Sequence, residues 1–368
     1  MAADASLNAI PDGILAAAEY ENHAANHLAD STLAWLRGGS GNEYTLRANQ
    51  QAFQSLNIRP QLLNNFSQAS TRLKLCGTKL ESPMLLAPVG HQHLLHKEGE
   101  LAVTRAAEVS ATCLVASTMS SLTLEVIAEA SNSAKWFQLY WQPRREDTLD
   151  LIRRAEGAAY EALVLTLDTP LQVLSHRAQR AGFAQLKSTT PANLKDYKPL
   201  PQRALAPNQS ILLHGMMSEA PDWEDLAWLL ETTTLPVIVK GVAHPDDAFR
   251  LQSMGVAGQI VSNHGGRSLD GMPASLHLLP AIRDVLGAHY PLLLDGGIRS
   301  GTDIFKAIAS GADAVLIGRL QAYALAVAGA LGVAHMLKLL RDELELCMAL
   351  AGTPTLNDIG PQCLMGAI

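Results

Sequence analysis

The chain has 368 residues, of which 48% are apolar and 17% charged, and its formal net charge is -7. This composition supports a large buried core and argues against disorder. No basic run is longer than the pairs Arg144-Arg145 and Arg153-Arg154. A nucleic-acid-binding surface is therefore not expected, and small molecules are the expected partners.

The cysteines favour reduced thiols and a cytoplasmic location. They are far apart and form no CxxC pair, which argues against a disulfide framework or a zinc site; they are Cys76, Cys113, Cys347 and Cys363. The amino terminus has no continuous apolar core, so no signal peptide is expected. The late apolar run from Ala322 to Ala334 is too short to span a bilayer, and a packed helix is expected there.

The first eighty residues predict a helical lead-in. Apolar residues at helical spacing extend to about Arg37, where a glycine-rich stretch at 38–41 interrupts them. A second helical pattern covers 45–55, and short strands are expected between Leu73 and Leu80. These elements form a cap or lead-in to the rest of the chain.

From residue 84 onward the sequence repeats an apolar run, a loop and a helical segment. The eight runs are Met84 to Val89, Thr112 to Ser117, Trp136 to Tyr140, Ala162 to Leu167, Pro236 to Lys240, Gly258 to Val261, Pro291 to Leu294 and Ala314 to Ile317. Eight such units predict an α/β fold, a (β/α)8 TIM barrel, as a single domain over residues 1–368. An open, doubly wound sheet is less favoured because no strand is followed by GxGxxG.

One interval departs from this rhythm. Residues 169–221 come after the fourth run and contain six prolines, which prevent one long helix. A loop of this length in a compact domain is typically a lid or a binding loop. We expect a lid near the site.

The residues that end the eight runs should meet at one mouth of the barrel, where such folds bind ligands, and polar residues predominate among them. In strand order they are Ala87, Pro88, Val89 and Gly90; Ser117; Gln138 and Tyr140; Thr166 and Asp168; Lys240; Ser262, His264 and Arg267; Asp295, Gly296, Gly297 and Arg299; and Gly318 and Arg319. Little polarity remains within the runs themselves. The pattern is typical of a ligand site.

Three chemical interpretations fit these residues. His264 could act as a base oriented by Asp168, although a lone strand-end histidine more often only bonds its own loop. Glycine next to Arg299 and Arg319 favours a phosphate site, whereas the simpler alternative is that the glycines only allow tight turns. Lys240 ends a buried strand and should face a carboxylate or an anionic ligand, unless it forms a Schiff base.

Several segments together resemble the FMN-dependent 2-hydroxy acid oxidase and dehydrogenase family. They are Leu86-Ala87-Pro88, Phe137 to Tyr140, Leu165 to Pro170, Val239 to Val242, Val261 to Asp270, Leu294 to Arg299 with Gly301-Thr302-Asp303, Ile317 to Arg319, and Arg341 to Leu346. The resemblance covers the chain from about Leu33 to Ile359. It implies FMN as cofactor, a small-molecule 2-hydroxy acid and oxygen or another electron acceptor as partners, and a homotetramer.

By position, the resemblance also implies roles for individual residues. His264 would take a proton from an (S)-2-hydroxy acid, with Asp168 supporting the imidazolium. Lys240 would stabilise charge on the reduced flavin, while Arg267 and Tyr140 would bind the substrate. Ala87 to Gly90, Ser117, Gln138, Thr166 and Ser262 would line the flavin, and Asp295, Gly296, Gly297, Arg299, Gly318 and Arg319 would hold its ribityl and phosphate groups.

The chain departs from the family at two carboxylate-binding positions. Trp35 stands where the family usually has a tyrosine, and Ser175 stands where it has an arginine, with Arg177 nearby as a possible replacement. Gly90 stands where oxidases commonly have alanine, and Met119 and His91 occupy variable pocket positions. These changes increase the apolar share of the pocket and predict a bulky or aromatic acid.

Other interpretations stay open. The weakened carboxylate clamp also fits an FMN enzyme acting on a modified or carrier-linked substrate, or one with altered or lost turnover. An aldolase using Lys240 as a Schiff base is a further alternative. No metal is expected, because strand-end register separates His91, His93 and His96. Charged residues interrupt the loop that serves membrane-associated relatives as an anchor, so no membrane association is expected.

Overall fold

The computed structural model describes residues 9–171, 175–184, 189–198 and 205–366. The amino-terminal lead-in contains helices α1 (Tyr20–His23), α2 (Asp30–Arg37) and α3 (Tyr44–Gln54), the short strand β1 (Asn57–Ile58) and a hairpin of β2 (Leu73–Leu75) and β3 (Thr78–Leu80). Helices and the 73–80 strands thus form where the sequence predicts them. The carboxyl-terminal strand β12 (Leu364–Met365) pairs antiparallel with β1.

Eight parallel strands close into a barrel, which confirms the (β/α)8 prediction. They are β4 (Met84–Leu86), β5 (Cys113–Ser117), β6 (Lys135–Leu139), β7 (Ala162–Thr166), β8 (Val237–Val242), β9 (Gly258–Val261), β10 (Leu292–Asp295) and β11 (Ala314–Ile317). They pair in chain order, and β11 pairs with β4 to close the ring. Each observed strand overlaps its predicted run.

Alternation along each strand divides the apolar side chains between two cores. On β7, Leu163 and Leu165 belong to the layer shared with the outer helices, whereas Val164 belongs to the barrel interior. On β8, Ile238 lies in the interior, two residues before Lys240. The same alternation therefore directs Lys240 into the barrel at its carboxyl-terminal mouth.

The hairpin closes the opposite end of the barrel. Leu75 and Leu80 join the interior core. The indole Nε1 of Trp136 donates to Oγ1 of Thr78 at 2.9 Å, so the one polar atom of this buried ring is paired. Among the described residues, that end is therefore filled by side chains.

The outer layer consists of α4 (Gly99–Val109), α5 (Leu124–Glu129), α6 (Arg145–Gly157), α8 (Trp223–Thr232), α9 (Pro245–Ser253), α10 (Ser275–Leu286), α11 (Gly301–Ala309) and α12 (Arg319–Ala351). In α12 the helical backbone breaks at Ala328 and Gly329. By length and composition α12 could cross a membrane, but 67% of its apolar window is buried against the protein. This is the packed helix expected around residues 322–334.

The interval 169–221 is described only in part. It contains α7 (His176–Arg180) and short turns at Ala192–Leu194, Ile211–Gly215 and Met216–Glu219. The expected lid also includes 172–174, 185–188 and 199–204, which lie outside the described residues, as do 1–8 and 367–368 of the expected 1–368 domain. No long helix forms in the described part, as the prolines predict.

We expect Leu293→Ala to lower the free energy of unfolding by about 2 to 5 kcal/mol, because it opens a void in a fully buried interior position. Urea unfolding followed by circular dichroism measures the effect. Leu15, which is 80% exposed, is the matched control: Leu15→Ala should change stability by less than about 0.5 kcal/mol. Equal effects of the two substitutions would contradict the assigned core.

Candidate active site

His264 and Asp168 form a hydrogen-bonded pair at the mouth. His264 Nδ1 lies 2.8 Å from Asp168 Oδ1, and the carboxylate is buried. Because an ionised carboxylate can only accept, it fixes the proton on Nδ1 and leaves Nε2 as an acceptor. The pair therefore has the arrangement of a base with its orienting group.

The loop after β9 holds this imidazole in position. His264 has a positive φ of 56°, which is uncommon for a residue with a side chain. Its backbone N–H donates to Ser262 Oγ at 2.9 Å, and the side chain of Ser268 donates to the carbonyl of Asp168. Such a backbone persists only where surrounding contacts fix it.

Lys240 lies behind this pair in a closed network of charges. Its Nζ is 2.9 Å from Asp295 Oδ2, 2.9 Å from Ser262 Oγ and 3.5 Å from Asp168 Oδ2. Ser262 Oγ in turn donates to Asp295 at 2.8 Å. The buried cation is thus paired with two carboxylates from β10 and the β7 loop, as expected for a charge at this depth.

These contacts set the protonation states. Burial alone would raise the pKa of Asp168, but the charges of Lys240 and His264 outweigh it and hold the pKa well below its usual range. Burial would lower the pKa of Lys240, yet Asp168 and Asp295 raise it. The aspartates are therefore ionised and the lysine is charged at neutral pH.

A glycine after Lys240 makes this approach possible. Gly241 has φ 108° and lies at an irregularity in the pairing of β8 with β9. A Cβ at this position would lie 2.5 Å from Cβ of Asp168. Any side chain here would push the carboxylate away from the lysine and the histidine.

Arg267 lies in the same cavity with part of its guanidinium unused. Its Nη1 donates to the carbonyls of Trp35 at 2.8 Å and Gly38 at 2.9 Å. No described residue accepts from its Nε or Nη2, which leaves a two-pronged donor suited to a carboxylate. Burial and the neighbouring Arg319 lower the pKa of Arg267 to about 10, so it stays charged.

Tyr140 supplies a neutral polar group. Its hydroxyl accepts a hydrogen bond from Thr169 at 3.3 Å, and burial raises its pKa. It therefore remains protonated and can donate to a substrate oxygen.

The two arginines after β10 and β11 lie at the other end of the cavity. Arg319 donates to the carbonyls of Leu36, Gly265 and Gly38 at 3.0, 2.9 and 3.1 Å. Arg299 Nη1 donates to its neighbour Ile298, and its buried Nε makes no hydrogen bond in the described structure but lies 3.8 Å from Glu21 Oε2 in an ion pair. The cationic end predicted from the sequence is present.

One cavity of about 420 Å³ connects these groups. Predicted residues that line it are Trp35, Ala87, Pro88, Val89, Gly90, Ser117, Tyr140, Thr166, Lys240, His264, Arg267, Asp295, Gly296, Gly297, Arg299, Gly318 and Arg319. Asp168, Gln138 and Ser262 do not line it and instead bond its lining residues: Asp168 to His264, Gln138 to Ser117, and Ser262 to Lys240.

Arg177 is the exception among the predicted residues. It is bound to Glu43 and does not line the cavity, whereas Ser175 does. The structure therefore does not bring Arg177 to the substrate. The space beside Gly90, where other residues would have a side chain, is occupied by Met119: a Cβ at position 90 would lie 2.7 Å from Cβ of Met119.

Sequence reasoning missed the residues that hold the β9 loop to the lead-in. The side-chain amides of Asn49 and Asn263 pair through two hydrogen bonds of 2.8 Å. Asp270 accepts from the backbone of Asn42 at 2.7 Å and of Thr45 at 3.0 Å. Nothing in the local pattern around Asn49 points to a partner more than two hundred residues away.

The unpaired polar atoms of the mouth fit FMN. Gln138 Nε2 and Thr166 Oγ1 are buried and, like Arg299 Nε, have no hydrogen-bond partner in the described structure. Buried polar groups are normally paired, so Gln138 Nε2 and Thr166 Oγ1 indicate a ligand with polar ring atoms at one end, and Arg299 and Arg319 favour an anion at the other. The site thus defines the protein as a flavin-binding barrel with an acid–base pair.

The sequence model of the family described as FMN-dependent dehydrogenase matches residues 24–366. The chain is 56% identical over 351 residues to an L-lactate oxidase of Alicycliphilus denitrificans, covering 95% of this chain and 96% of that one. It is 41% identical to an L-lactate oxidase of a Roseobacter, covering 97% and 96%. A solved variant of mandelate oxidase with an FMN adduct matches with a TM-score of 0.85 at 37% identity, covering 95% and 99%.

The chain therefore belongs to the FMN-dependent 2-hydroxy acid oxidase family, and its cofactor is FMN. The resemblance recognised in the sequence is confirmed. The aldolase alternative is wrong, because Lys240 is charged and enclosed by two carboxylates.

We expect His264→Asn to lower the rate of FMN reduction by substrate about 10²- to 10⁴-fold, because the acceptor at Nε2 is lost. Anaerobic stopped-flow absorbance of the flavin measures this rate. FMN content should stay that of the unmodified protein. A variant that still reduces FMN at the original rate would exclude His264 as the base.

We expect Asp168→Asn to slow FMN reduction about 100-fold, since an amide no longer fixes the proton on Nδ1 of His264.

The same substitution should change how stability depends on pH. Because the pKa of Asp168 is lower in the folded protein than its usual value near 3.8, the ionised carboxylate stabilises the fold at pH values above 3.8, and this stability is lost as the pH falls below that value. Urea midpoints below about pH 4 should therefore depend less on pH in the variant. Asp284→Asn, on the exposed face of α10, should retain the original dependence.

Proposed function

We propose that the protein oxidises L-lactate to pyruvate and passes the electrons to oxygen, which leaves as hydrogen peroxide. The observation that carries this substrate is the 56% identity, across nearly the whole of both chains, with an L-lactate oxidase. The geometry supports the reaction class, since one cavity holds a base (His264), a guanidinium that can donate to a carboxylate (Arg267) and a buried cation (Lys240).

In this mechanism Arg267 binds the substrate carboxylate through Nε and Nη2, and Tyr140 donates to the substrate oxygen. His264 Nε2 accepts the hydroxyl proton, and Asp168 stabilises the imidazolium that forms. When bound, FMN would accept the two electrons together with the hydrogen that leaves the substrate carbon. Lys240 provides a fixed positive charge where negative charge develops, and its own pKa is raised so that it stays charged.

The remaining predicted residues would hold FMN. Gln138 and Thr166 would bond the ring system, with Ala87 to Gly90 along its side and Ser117 and Ser262 fixing their neighbours. Asp295, Gly296, Gly297 and Gly318 would lie along the ribityl chain. Arg299 and Arg319 would pair with the phosphate.

The pocket favours a small acid over the bulky one expected from the sequence. The cavity must hold both FMN and substrate, and about 420 Å³ is at the lower end for a ligand site. Trp35 and His91 line it with large side chains, and the Trp35 ring stacks on Phe183 with centroids 5.1 Å apart. Trp35, which raises the apolar share of the pocket, thus also takes up part of its volume.

An aromatic acid is the second candidate. The solved mandelate oxidase variant shares the fold at a TM-score of 0.85, and the stacked Trp35 offers an aromatic surface. The anaerobic holoprotein should be mixed with L-lactate, glycolate and (S)-mandelate, and flavin bleaching followed. We expect L-lactate to give the highest kcat/KM and peroxide to appear when oxygen is admitted. Faster bleaching by (S)-mandelate would establish the second candidate instead.

We expect Arg267→Lys to lower kcat/KM for L-lactate about 10- to 100-fold, because a lysine replaces a bidentate, charge-assisted contact by a point charge. Steady-state peroxide production measures this. The hydrogen bonds from Nη1 to the Trp35 and Gly38 carbonyls are lost as well, so FMN content is the control. Unchanged kcat/KM would show that the carboxylate binds elsewhere.

A homotetramer and a cytoplasmic location, both expected from the sequence, are further proposals. Light scattering after gel filtration tests the first. Fractionation of the native cell tests the second.

A further inference from the structure

Helix α7 is joined to the amino-terminal lead-in by a bidentate ion pair. Arg177 Nε lies 2.8 Å from Glu43 Oε1, and its Nη2 lies 2.5 Å from Glu43 Oε2. The Glu43 side chain is only 14% exposed, whereas that of Arg177 is 49% exposed. Two parallel bonds of this kind fix orientation as well as distance.

The segment that carries Glu43 also holds two of the three arginines that line the cavity, Arg267 and Arg319. Carbonyls of residues 35–38 accept from Arg267 and Arg319, and both guanidinium groups bond Gly38. Glu43 closes this turn, because its Oε1 also accepts from the N–H of Gly39 at 3.2 Å. Displacement of Glu43 would therefore also displace the carbonyls that hold the guanidinium of Arg267 in place.

Two more contacts place α7 against the same segment. Ser175 caps α7 by accepting from the N–H of Ala178 at 3.0 Å, and its hydroxyl lies where a Cβ at Gly38 would be. Beyond the helix, Phe183 stacks on Trp35 at an interplanar angle of 8°. Both Ser175 and Trp35 line the cavity.

The position of the charge on α7 explains its partner. Ser175 is the extended N-cap residue of α7 and lines the cavity, whereas Arg177 lies in the first turn of the helix and pairs with Glu43. Ser175, where the family has a substrate-binding arginine, faces the cavity. Arg177 instead faces Glu43. Position 175 thus carries no arginine that could bind the substrate carboxylate, and the nearby Arg177 binds Glu43 of the protein instead.

We infer that the Arg177–Glu43 pair is a clamp that holds α7, Ser175 and Trp35 over the cavity and thereby positions Arg267 for the substrate carboxylate. Arg177 and Glu43 are positioning residues, and the inference rests on the proposed function. In this chain the wall beside the carboxylate is held in place by an ion pair within the protein, before any acid binds. The clamp therefore contributes to substrate affinity without touching the substrate.

The test compares Arg177→Gln, Glu43→Gln and the double variant as holoproteins. We expect each to raise KM for L-lactate, and the Kd of pyruvate read from flavin absorbance, about three- to tenfold, with kcat within about twofold. The double variant should be no worse than either single one, because both remove the same interaction. Arg180→Gln, exposed on the same helix, is the matched control and should change neither constant.

A second readout needs no turnover. Chymotrypsin, which does not cut at arginine, should cleave the substrate-free holoprotein between residues 169 and 221 faster in the clamp variants than in Arg180→Gln. Equal cleavage and equal Kd in Arg177→Gln and Arg180→Gln would overturn the clamp. An effect of Glu43→Gln alone would also overturn it, and would assign Glu43 to the Gly39 turn. Failure of L-lactate to bleach the unmodified protein would instead contradict the proposed function and leave the cleavage readout intact.

Discussion

The buried ammonium of Lys240 is the constraint on which the site depends. It ends a strand inside the barrel, and its charge is held at that depth because carboxylates from two other strand ends approach it. One of these carboxylates, that of Asp168, also binds His264. Lys240 and His264 are therefore coupled through one aspartate, and their contacts hold the pKa of its carboxyl below its usual range.

The lead-in is part of this site as well as a cap on the barrel. Its backbone carbonyls at 35–38 accept from Arg267 and Arg319, and its Asn49 pairs with Asn263 in the loop that carries the histidine. Backbone acceptors leave the rest of each guanidinium available to ligands. The barrel carries the charged side chains of the site, and the lead-in orients Arg267, Arg319 and the loop that carries His264.

Much of the site could be predicted because parallel strands alternate their side chains and end at one mouth. Lys240 and Thr166 could be placed by that rule alone, and both line the cavity. The same rule does not predict the size of the substrate. The prediction of a bulky acid rested on the apolar character of Trp35, and the sequence does not show that this ring stacks on Phe183 and forms a wall of the cavity.

The sequence by itself determined the eight-unit barrel, the identity of the polar residues at its mouth and the family, since these rest on short-range periodicity and on residues fixed at strand ends. Only the tertiary structure decided that Arg177 binds Glu43 and not the substrate, that Met119 fills the space beside Gly90, and that Asn49 supports the histidine loop. The physical reason is that each of these contacts joins segments remote in the chain, and side-chain pairing between such segments depends on packing that no local pattern encodes.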